Sequence, residues 1–377
     1  MKFSQIMTGI GFLGLMSIPG AFAQEAAVKV HEPIIRTTFE EGLGTWTTFG
    51  NGAAVSITHE PLEVKEGEGA LKFKYEVNKG GFGILLLSTP EGSIEKANSF
   101  KFWVKPDIST TLALSLQEQD GGRYTGMFAV RKDVWQQIEV GIGDLVIDQS
   151  ADAPKDPNGV LDMDHVVSFA LLDVSQLFAQ AENLSAIFPV KTGSHTLFLD
   201  DFSVSDAFLP SSSNIKNGVG AIDLYNRNQI AWTMIGDIQL EKNASGKPLE
   251  GPSLQMRYRQ RKGKPAGIAK PLLKGSLVHA GRLQFDAASD KPLKLIVQFE
   301  EKSGGKYNAI VNLPGGSLKT SFDIPLSDLK VSEDSKDDNG KFDLESVTQL
   351  LIIDASGFLD GVEGDNTLWL SPIKVAK

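Results

Sequence analysis

A pattern that occurs twice constrains the fold of this chain more than any other feature of its sequence. Residues 196–204 and 367–375 each carry alternating apolar side chains that shift phase by one position in the middle. Side chains of a β-strand repeat every two residues, so the shift requires one extra residue, which forms a β-bulge. The extra residue falls at positions 200–201 in the first copy and at Ser371-Pro372 in the second, and proline is tolerated at bulges. We therefore predict that each copy is the closing strand of one β-sandwich.

The remainder of the chain repeats in the same order at nearly constant spacing. The matched positions are Trp46 and Trp232, Phe73 and Met256, Phe102 and Phe285, Tyr124 and Tyr307, and Asp173 and Asp354. Short alternating segments separated by Gly, Pro, Asn and Asp are typical of antiparallel sandwiches, and a fixed period indicates a repeated unit. The sequence thus predicts an all-β chain of two tandem antiparallel β-sandwich domains, residues 34–208 and 218–377, joined by a polar linker over 209–217. A helical pattern occurs over residues 174–186.

The first residues have the features of an export signal. Lys2 precedes an apolar run over residues 6–18, and Ala21-Phe22-Ala23 is a small-residue cleavage motif. We expect residues 1–23 to be a signal peptide cleaved after Ala23 and residues 24–33 to be an N-terminal tail. The protein is then expected in the periplasm or secreted. This run is too short to span a bilayer comfortably and nothing later resembles a spanning helix, so we expect no membrane span.

Composition excludes several kinds of site. The chain has no cysteine, which rules out disulfides, thiolate metal sites and a cysteine nucleophile. The net charge of −10 argues against nucleic acid and anionic membrane surfaces as partners.

Several motifs occur in an order that resembles the galactose-binding-like β-jelly roll. They are Phe39-Glu40-Glu41-Gly42 with Trp46, then Phe100–Lys105, Trp135–Ile138 and Leu199–Phe202. The sequence is most similar to family-eleven carbohydrate-binding modules and to the related domain of complex I intermediate-associated proteins. The similarity covers nearly all of residues 34–207 and extends more weakly over residues 218–377.

The resemblance implies a jelly-roll fold and, as the leading function, non-catalytic binding of a glycan or polysaccharide, with the first domain the preferred binder. The alternative is a structural or assembly protein of the cell envelope, with another protein as its partner. A polysaccharide-active enzyme is the third possibility. The five histidines form no metal-binding or catalytic motif, and no G-x-S-x-G motif occurs. A pair of catalytic carboxylates is invisible in sequence because its members meet only in space.

Modules of this kind often hold a structural calcium ion between the first and closing strands. Calcium takes about six to eight oxygen ligands. Here the expected ligands are Glu40, Glu41, Asp200 and Asp201. The alternative is that the aspartate pair caps a turn and faces water. The second domain lacks this pair, so we expect no ion there.

A glycan site on such a domain needs an exposed aromatic ring with polar neighbours. If Phe102 and Val104 point inward, Trp103 points outward beside Lys101 and Lys105. We predict that a sugar stacks on Trp103, with polar contacts from Lys74, Lys101, Gln117, Arg123 and Tyr124. The alternatives are that a loop covers Trp103 and that Tyr124, which recurs as Tyr307, is structural. Trp46 and Trp135 are predicted to lie in the core.

The second domain carries a basic run, which comprises Arg257, Arg259, Arg261, Lys262, Lys264, Lys270 and Lys274. Guanidinium groups on one strand face could bind an acidic polysaccharide. The alternative, which we prefer, is a solvated strand whose cations pair with the carboxylates of an acidic protein.

Overall fold

A computed structural model describes residues 32–148, 155–180, 190–337 and 339–377 of the chain. The predicted signal peptide and most of the predicted tail lie outside these residues. Glu32–Lys377 forms one compact unit that contains two β-sandwiches. Among the described residues, no helix is long and apolar enough to cross a membrane.

The first sandwich contains twelve strands and a short helix. The strands are β1 (Ile35–Thr37), β2 (Trp46–Phe49), β3 (Ala54–Thr58), β4 (Ala70–Val77), β5 (Ile84–Ser88), β6 (Ser99–Pro106), β7 (Thr110–Glu118), β8 (Arg123–Val130), β9 (Gln136–Gly141), β10 (Val146–Ile147), β11 (Val166–Asp173) and β12 (Gly193–Ser205). Helix α1 is Ser175–Gln180 and falls inside the predicted helical pattern, whose last residues lie outside the described ranges.

The second sandwich contains the remaining strands. They are β13 (Gly220–Asp223), β14 (Thr233–Ile235), β15 (Ile238–Asn243), β16 (Ser253–Gln260), β17 (Ala266–Pro271), β18 (Arg282–Ser289), β19 (Leu293–Glu301), β20 (Lys306–Leu313), β21 (Thr320–Pro325), β22 (Lys330–Val331), β23 (Val347–Asp354), β24 (Gly364–Leu370) and β25 (Ile373–Ala376). Helix α2, Ser356–Leu359, is one turn long and was not predicted, because four residues are too few to show a helical period.

The two sandwiches have the same topology. Sheet A has the order β3-β4-β12-β6-β9 with β1 on β12, and sheet B has the order β10-β8-β7-β11-β5-β2. In the second sandwich, sheet C has the order β13-β25-β18-β24-β16-β15 with β21 on β18, and sheet D has the order β14-β17-β23-β19-β20-β22. These strands pair in antiparallel fashion, and one apolar core fills each sandwich. The predicted tandem antiparallel β-sandwich fold is confirmed.

Both bulges lie at the predicted positions. On β12, the pairing with β6 shifts between Asp200 and Ser203, and Asp201 has a φ of 41°. On both sides of this bulge the apolar side chains face the core: Leu197, Leu199, Phe202 and Val204 are all buried. In the second sandwich the interruption falls between β24 and β25, at Ser371-Pro372. The closing strands thus keep their apolar residues inward despite the phase shift.

A tyrosine and an aspartate connect the two sheets inside each sandwich. The Tyr75 hydroxyl on β4 donates to the Asp173 carboxylate on β11 at 2.7 Å, and the Tyr258 hydroxyl on β16 donates to Asp354 on β23 at 2.7 Å. Each aspartate also accepts the backbone N–H that begins the helix following it, at 2.8 Å. Both aspartates are almost completely buried, so their charge depends on these donors. The same polar link therefore fixes the sheet spacing twice.

We expect Tyr75→Phe to lower the free energy of unfolding of the first sandwich by about 1.5–3 kcal/mol, the worth of a hydrogen bond to a charged group. Urea unfolding followed by circular dichroism measures this loss. Tyr258→Phe is the matched variant and should destabilise the second sandwich by a similar amount. A change within the error of the measurement for both variants would show that the link is dispensable.

Hydrogen bonds also join the two sandwiches. Asp144 accepts from the Ser211 hydroxyl at 3.0 Å, from the Ser212 backbone at 2.9 Å and from Arg227 at 3.4 Å. Ala129 at the end of β8 forms a bridge with Ile230. The segment predicted as a polar linker is thus bonded to the first sandwich at its serines.

Candidate functional site

The outer face of sheet A carries the predicted aromatic residue. Trp103 on β6 lies opposite Asp200 on β12 and Gln137 on β9. The residues before and after it, Phe102 and Val104, are buried in the core, whereas Trp103 is half-buried. Lys101 is exposed on this face of β6, and Lys74 is exposed on the same face of β4.

The other three predicted contacts lie on the opposite side of the sandwich. Gln117 is on β7, and Arg123 and Tyr124 are on β8, both in sheet B. The prediction that they share a surface with Trp103 is wrong, because the apolar core separates the outer faces of the two sheets. Alternation along a strand tells inward from outward positions, but not which sheet the strand joins.

These three side chains have local partners on sheet B. Gln117 donates to the Gly122 carbonyl at 2.8 Å, and Arg123 contacts Asp148 at 2.6 Å. Tyr124 is buried and donates its hydroxyl to Asp156. Tyr307 is equally buried and donates to Asp337 in the second sandwich. The alternative interpretation, that Tyr124 is structural, therefore agrees with the geometry.

The loop between β3 and β4, residues 59–69, lies over part of the outer face of sheet A. The Lys65 ammonium stands 4.5 Å from the centre of the Trp103 ring, and the Trp103 indole N–H donates to Glu66 at 3.0 Å. The same loop carries Glu63, which pairs with Lys72 at 2.8 Å beside the buried ring of Phe198. The loop thus covers Trp103 in part, as one alternative anticipated, and leaves it half-buried.

The carboxylates predicted to bind calcium hold this loop in place. Asp200 is completely buried and accepts the backbone N–H groups of Lys65 at 2.8 Å and Glu66 at 3.0 Å. Burial raises the pKa of Asp200, and these backbone hydrogen bonds act against that rise. Glu40 likewise accepts the N–H of Glu68 at 3.0 Å, close to the β4 end of the loop.

The other two predicted ligands face different surroundings. Asp201 pairs with the Arg36 guanidinium at 2.8 Å, and Glu41 is exposed. Within the described ranges, no group of three or more His, Asp or Glu side chains is arranged to hold a metal ion. A calcium site needs oxygens that converge on one point, whereas the Asp200 and Glu40 carboxylates face backbone N–H donors. The four residues in this arrangement do not fit the predicted calcium ion.

We therefore expect EDTA to leave the unfolding temperature of the protein unchanged, and added calcium to leave it unchanged as well. A bound ion stabilises the folded state by mass action, so its removal would lower that temperature. Differential scanning calorimetry with and without chelator measures this. The ion would instead be established if EDTA lowered the unfolding temperature, added calcium restored it, and Asp200→Asn no longer responded to either.

A polar cleft of about 420 Å³ adjoins Trp103 where the two sandwiches meet. Its lining residues are Trp103, Ala129, Arg131, Gln136, Gln137, Ile138, Asn228, Gln229, Ile230, Leu240, Glu241 and Lys242. Asn228 donates to Glu139 at 3.2 Å and to Gln137 at 3.4 Å across the junction. Arg131 contacts Glu241 at 3.0 Å. The cleft therefore combines one aromatic ring with amide and paired charged groups, the combination that orients a hydroxyl-rich ligand.

Trp135 lies outside the core, which corrects the prediction. It is half-buried immediately before β9, with the Lys105 ammonium 5.4 Å from its ring centre. Ile138 and Val140 face inward, and Trp135 is an odd number of positions from Ile138. Strict alternation would thus have placed Trp135 outward, on the face that carries Trp103. Trp46 is buried, as predicted.

The arginines of the basic run are paired with carboxylates. Arg257 contacts Glu241 at 3.5 Å, Arg259 contacts Asp365 at 4.0 Å and Arg261 contacts Asp237 at 3.4 Å. Each pair is largely exposed, so each contributes little to stability. The arrangement agrees with the interpretation of this run as a solvated strand whose cations pair with carboxylates.

A polar loop that was not predicted occurs in both sandwiches, with the pattern Asp-x-Asn-Gly-x-x-Asp at residues 156–162 and 337–343. In the first copy Asn158 donates to Asp162 at 2.7 Å, and the Asp162 N–H donates to the buried Glu118 at 2.6 Å. In the second copy the Asp343 N–H donates to the buried Glu301 at 2.5 Å. The loops are internally hydrogen-bonded, which indicates a structural role. The repeated pattern was the signal that could have identified them.

Glu118, the buried glutamate at the end of β7 that this loop contacts, makes stability depend on pH. Burial, together with the neighbouring Asp156, Asp120 and Asp162 carboxylates, raises the pKa of Glu118 to about 7. The folded state therefore keeps a proton that the unfolded state releases near its ordinary pKa. The resulting stabilisation is complete below the unfolded pKa and is lost as pH rises through about 7.

Glu118→Gln is uncharged at all pH values and should lack this dependence. From about pH 5 to about pH 8, we expect the unfolding free energy of the wild type to fall by on the order of 2 kcal/mol more than that of the variant. Urea unfolding at the two pH values measures the difference, with Glu60→Gln on the surface as control. Equal pH dependence in wild type and Glu118→Gln would contradict the assignment.

Comparisons with known proteins give one family match and several similar solved structures. Residues 16–183 match the model of a family described as carbohydrate binding domain (family 11), which confirms the predicted resemblance for a little under half of the chain. A comparison with curated proteins gives no match.

Three solved structures are among those that this chain is similar to. The family 11 carbohydrate-binding module from Clostridium thermocellum in complex with a β-1,3-1,4-mixed-linked tetrasaccharide is 17% identical, with 48% of this chain and 99% of that chain covered and a TM-score of 0.36. A solution structure of CtCBM11 is 17% identical over 49% of this chain and 99% of that chain, with a TM-score of 0.37. The N-terminal CBM22-1–CBM22-2 tandem domain from Paenibacillus barcinonensis Xyn10C is 13% identical over 93% of this chain and 99% of that chain, with a TM-score of 0.30.

Proposed function

We propose that the chain is an exported, non-catalytic carbohydrate-binding protein whose first sandwich binds a polysaccharide in the cleft beside Trp103. The observation that carries the proposal is a half-buried tryptophan in a polar cleft, within the residues that match the family 11 model. A sugar ring has an apolar C–H face that packs on an indole ring, while its hydroxyls require hydrogen-bonding partners around it.

The cleft supplies those partners. Gln137 and Asn228 are amides, which can donate to and accept from sugar hydroxyls, and they lie beside the Trp103 ring. Arg131 and Glu241 offer a donor and an acceptor at the same cleft. Lys101 and Lys74 of the earlier prediction lie on the same outer face, where they can contact a chain that continues along sheet A.

Lys65 occupies one side of this site. Its ammonium packs on the Trp103 ring at 4.5 Å. A cation–π contact at an exposed site is worth about 0.5–1 kcal/mol, so a sugar ring can displace Lys65 at modest cost. Binding to that face of the indole therefore involves a movement of the Lys65 side chain.

The proximity of Tyr75 and His195 in the first sandwich does not support the catalytic alternative. Tyr75 lies 6.0 Å from the His195 ring, centre to centre, and donates to Asp173. Tyr75 is 1% exposed, so a substrate does not reach its hydroxyl. The equivalent Tyr258 makes the same bond in the second sandwich, which favours a structural role for both.

We expect Trp103→Ala to abolish retardation of the protein in affinity electrophoresis through a glycan that retards the wild type. Truncation of an aromatic anchor costs about 2 kcal/mol or more, which corresponds to at least about thirtyfold in affinity. The panel should contain mixed-linkage β-glucan, xylan, β-1,4-galactan and an acidic polysaccharide. Phe49→Ala, which removes an exposed aromatic side chain from sheet B, is the matched control.

If no glycan of the panel retards the wild type, the carbohydrate proposal fails, and the envelope-protein alternative is tested next by pull-down. If Trp103→Ala is retarded as strongly as the wild type, the site lies elsewhere. A conclusion about the site requires that Trp103→Ala and Phe49→Ala unfold at the same temperature as the wild type.

A further inference from the structure

We propose that the second sandwich completes the binding site, so that one polysaccharide chain lies across both sandwiches. This inference rests on the proposed function and adds to it the part of the molecule outside the family match. The cleft beside Trp103 is built by two sandwiches: Arg131 and Gln137 come from the first, and Asn228, Leu240 and Glu241 come from the second.

The second sandwich covers the edge of sheet A next to this cleft. Strand β9 is the last strand of that sheet, and its outer edge would otherwise be open. Gln229 accepts the Glu139 N–H at 3.3 Å and donates to the Glu139 carbonyl, while Asn228 bonds the Glu139 carboxylate at 3.2 Å. The surface beside Trp103 therefore continues directly onto residues of the second sandwich.

Glu241 connects this cleft to a second hollow. It lies on β15, the edge strand of sheet C, and contacts Arg131 of the first sandwich at 3.0 Å and Arg257 of the second at 3.5 Å. The second hollow measures about 370 Å³. Its lining residues are Asp237, Gln239, Arg257, Tyr258, Arg259, Asp290, Asp365, Asn366 and Thr367. The two hollows are thus separated by one carboxylate and its two arginines.

The second hollow offers unused hydrogen-bonding groups. Gln239 is exposed, and its side chain makes no hydrogen bond within the described residues. Asn366 is only 4% exposed, and its amide nitrogen lacks an acceptor in the part of the chain that the structure describes. A buried amide donor without a partner is costly, and a ligand that brings an acceptor removes that cost.

The charge pattern favours an uncharged ligand over an acidic one. The exposed arginines along this path already face carboxylates, namely Glu241 and Asp365. An acidic sugar would meet these carboxylates together with the arginines, whereas a hydroxyl group can donate to one and accept from the other. The occupant we infer is therefore a neutral polysaccharide long enough to reach both hollows.

The test uses the full chain and the double variant Gln239→Ala/Thr367→Ala, which alters only the second hollow. We expect this variant to bind the retarding polysaccharide about fivefold more weakly than the wild type, as measured by affinity electrophoresis over a series of glycan concentrations. Asn312→Ala, an exposed amide on sheet D, is the control and should bind as the wild type does. A disaccharide of the same glycan should bind the double variant and the wild type equally, because it occupies one hollow only.

The outcomes separate the two proposals. If Trp103→Ala loses binding while the double variant binds like the wild type, the carbohydrate function stands and the two-sandwich site is wrong. If the double variant weakens binding of the disaccharide as much as that of the polymer, the second hollow is not an extension and the inference fails. If only the acidic polysaccharide retards the wild type, the neutral assignment fails. If no glycan does, both proposals fail together.

Discussion

A buried carboxylate at a β-bulge determines the shape of the surface that carries the candidate site. Asp200 lies in the closing strand next to the bulge, opposite Trp103 on the outer face of sheet A, and it is completely buried. A buried carboxylate is stable only when donors surround it, and two of its three backbone donors are N–H groups of the loop over residues 59–69; the third is the N–H of Asp201. The loop is consequently fixed over sheet A, with Lys65 and Glu66 against Trp103. One buried carboxylate thus links the geometry of the strand to the accessibility of the ring.

Most of the architecture was predictable from sequence because it follows from short-range periodicity. Alternation and its phase shift identified the closing strands and both bulges, and the repeat identified two domains of one topology. The helix after Asp354 was missed because a single turn leaves no periodic signal. The error at Trp135 was different in kind: the alternation was present and was misread, since Trp135 and Ile138 cannot face the same side of one regular strand.

The site was only partly predictable, because its residues meet through sheet order and domain contact. The outward orientation of Trp103 follows from its strand. The placement of Gln117 and Arg123 on the other sheet depends on which strands pair, and strand pairing has no signature in a single strand. Asn228 and Glu241 belong to the cleft only because the second sandwich packs against the edge of the first. Glu40 and Asp200 were predicted as calcium ligands, but in the structure they accept hydrogen bonds from backbone N–H groups of a loop that is distant in sequence.

The hydrogen-bonded junction between the sandwiches has a consequence for selectivity. Arg227, Asn228 and Gln229 hold the second sandwich against Asp144 and Glu139 of the first, so the two hollows keep a set spacing and angle. Polysaccharides differ in how their backbones bend, from extended ribbons to open coils. A polymer whose resting curvature follows the line between the hollows would bind with little loss of conformational freedom, whereas one of different curvature would first have to be reshaped. Discrimination would then arise from the backbone shape of the polymer, with the identity of each sugar unit secondary.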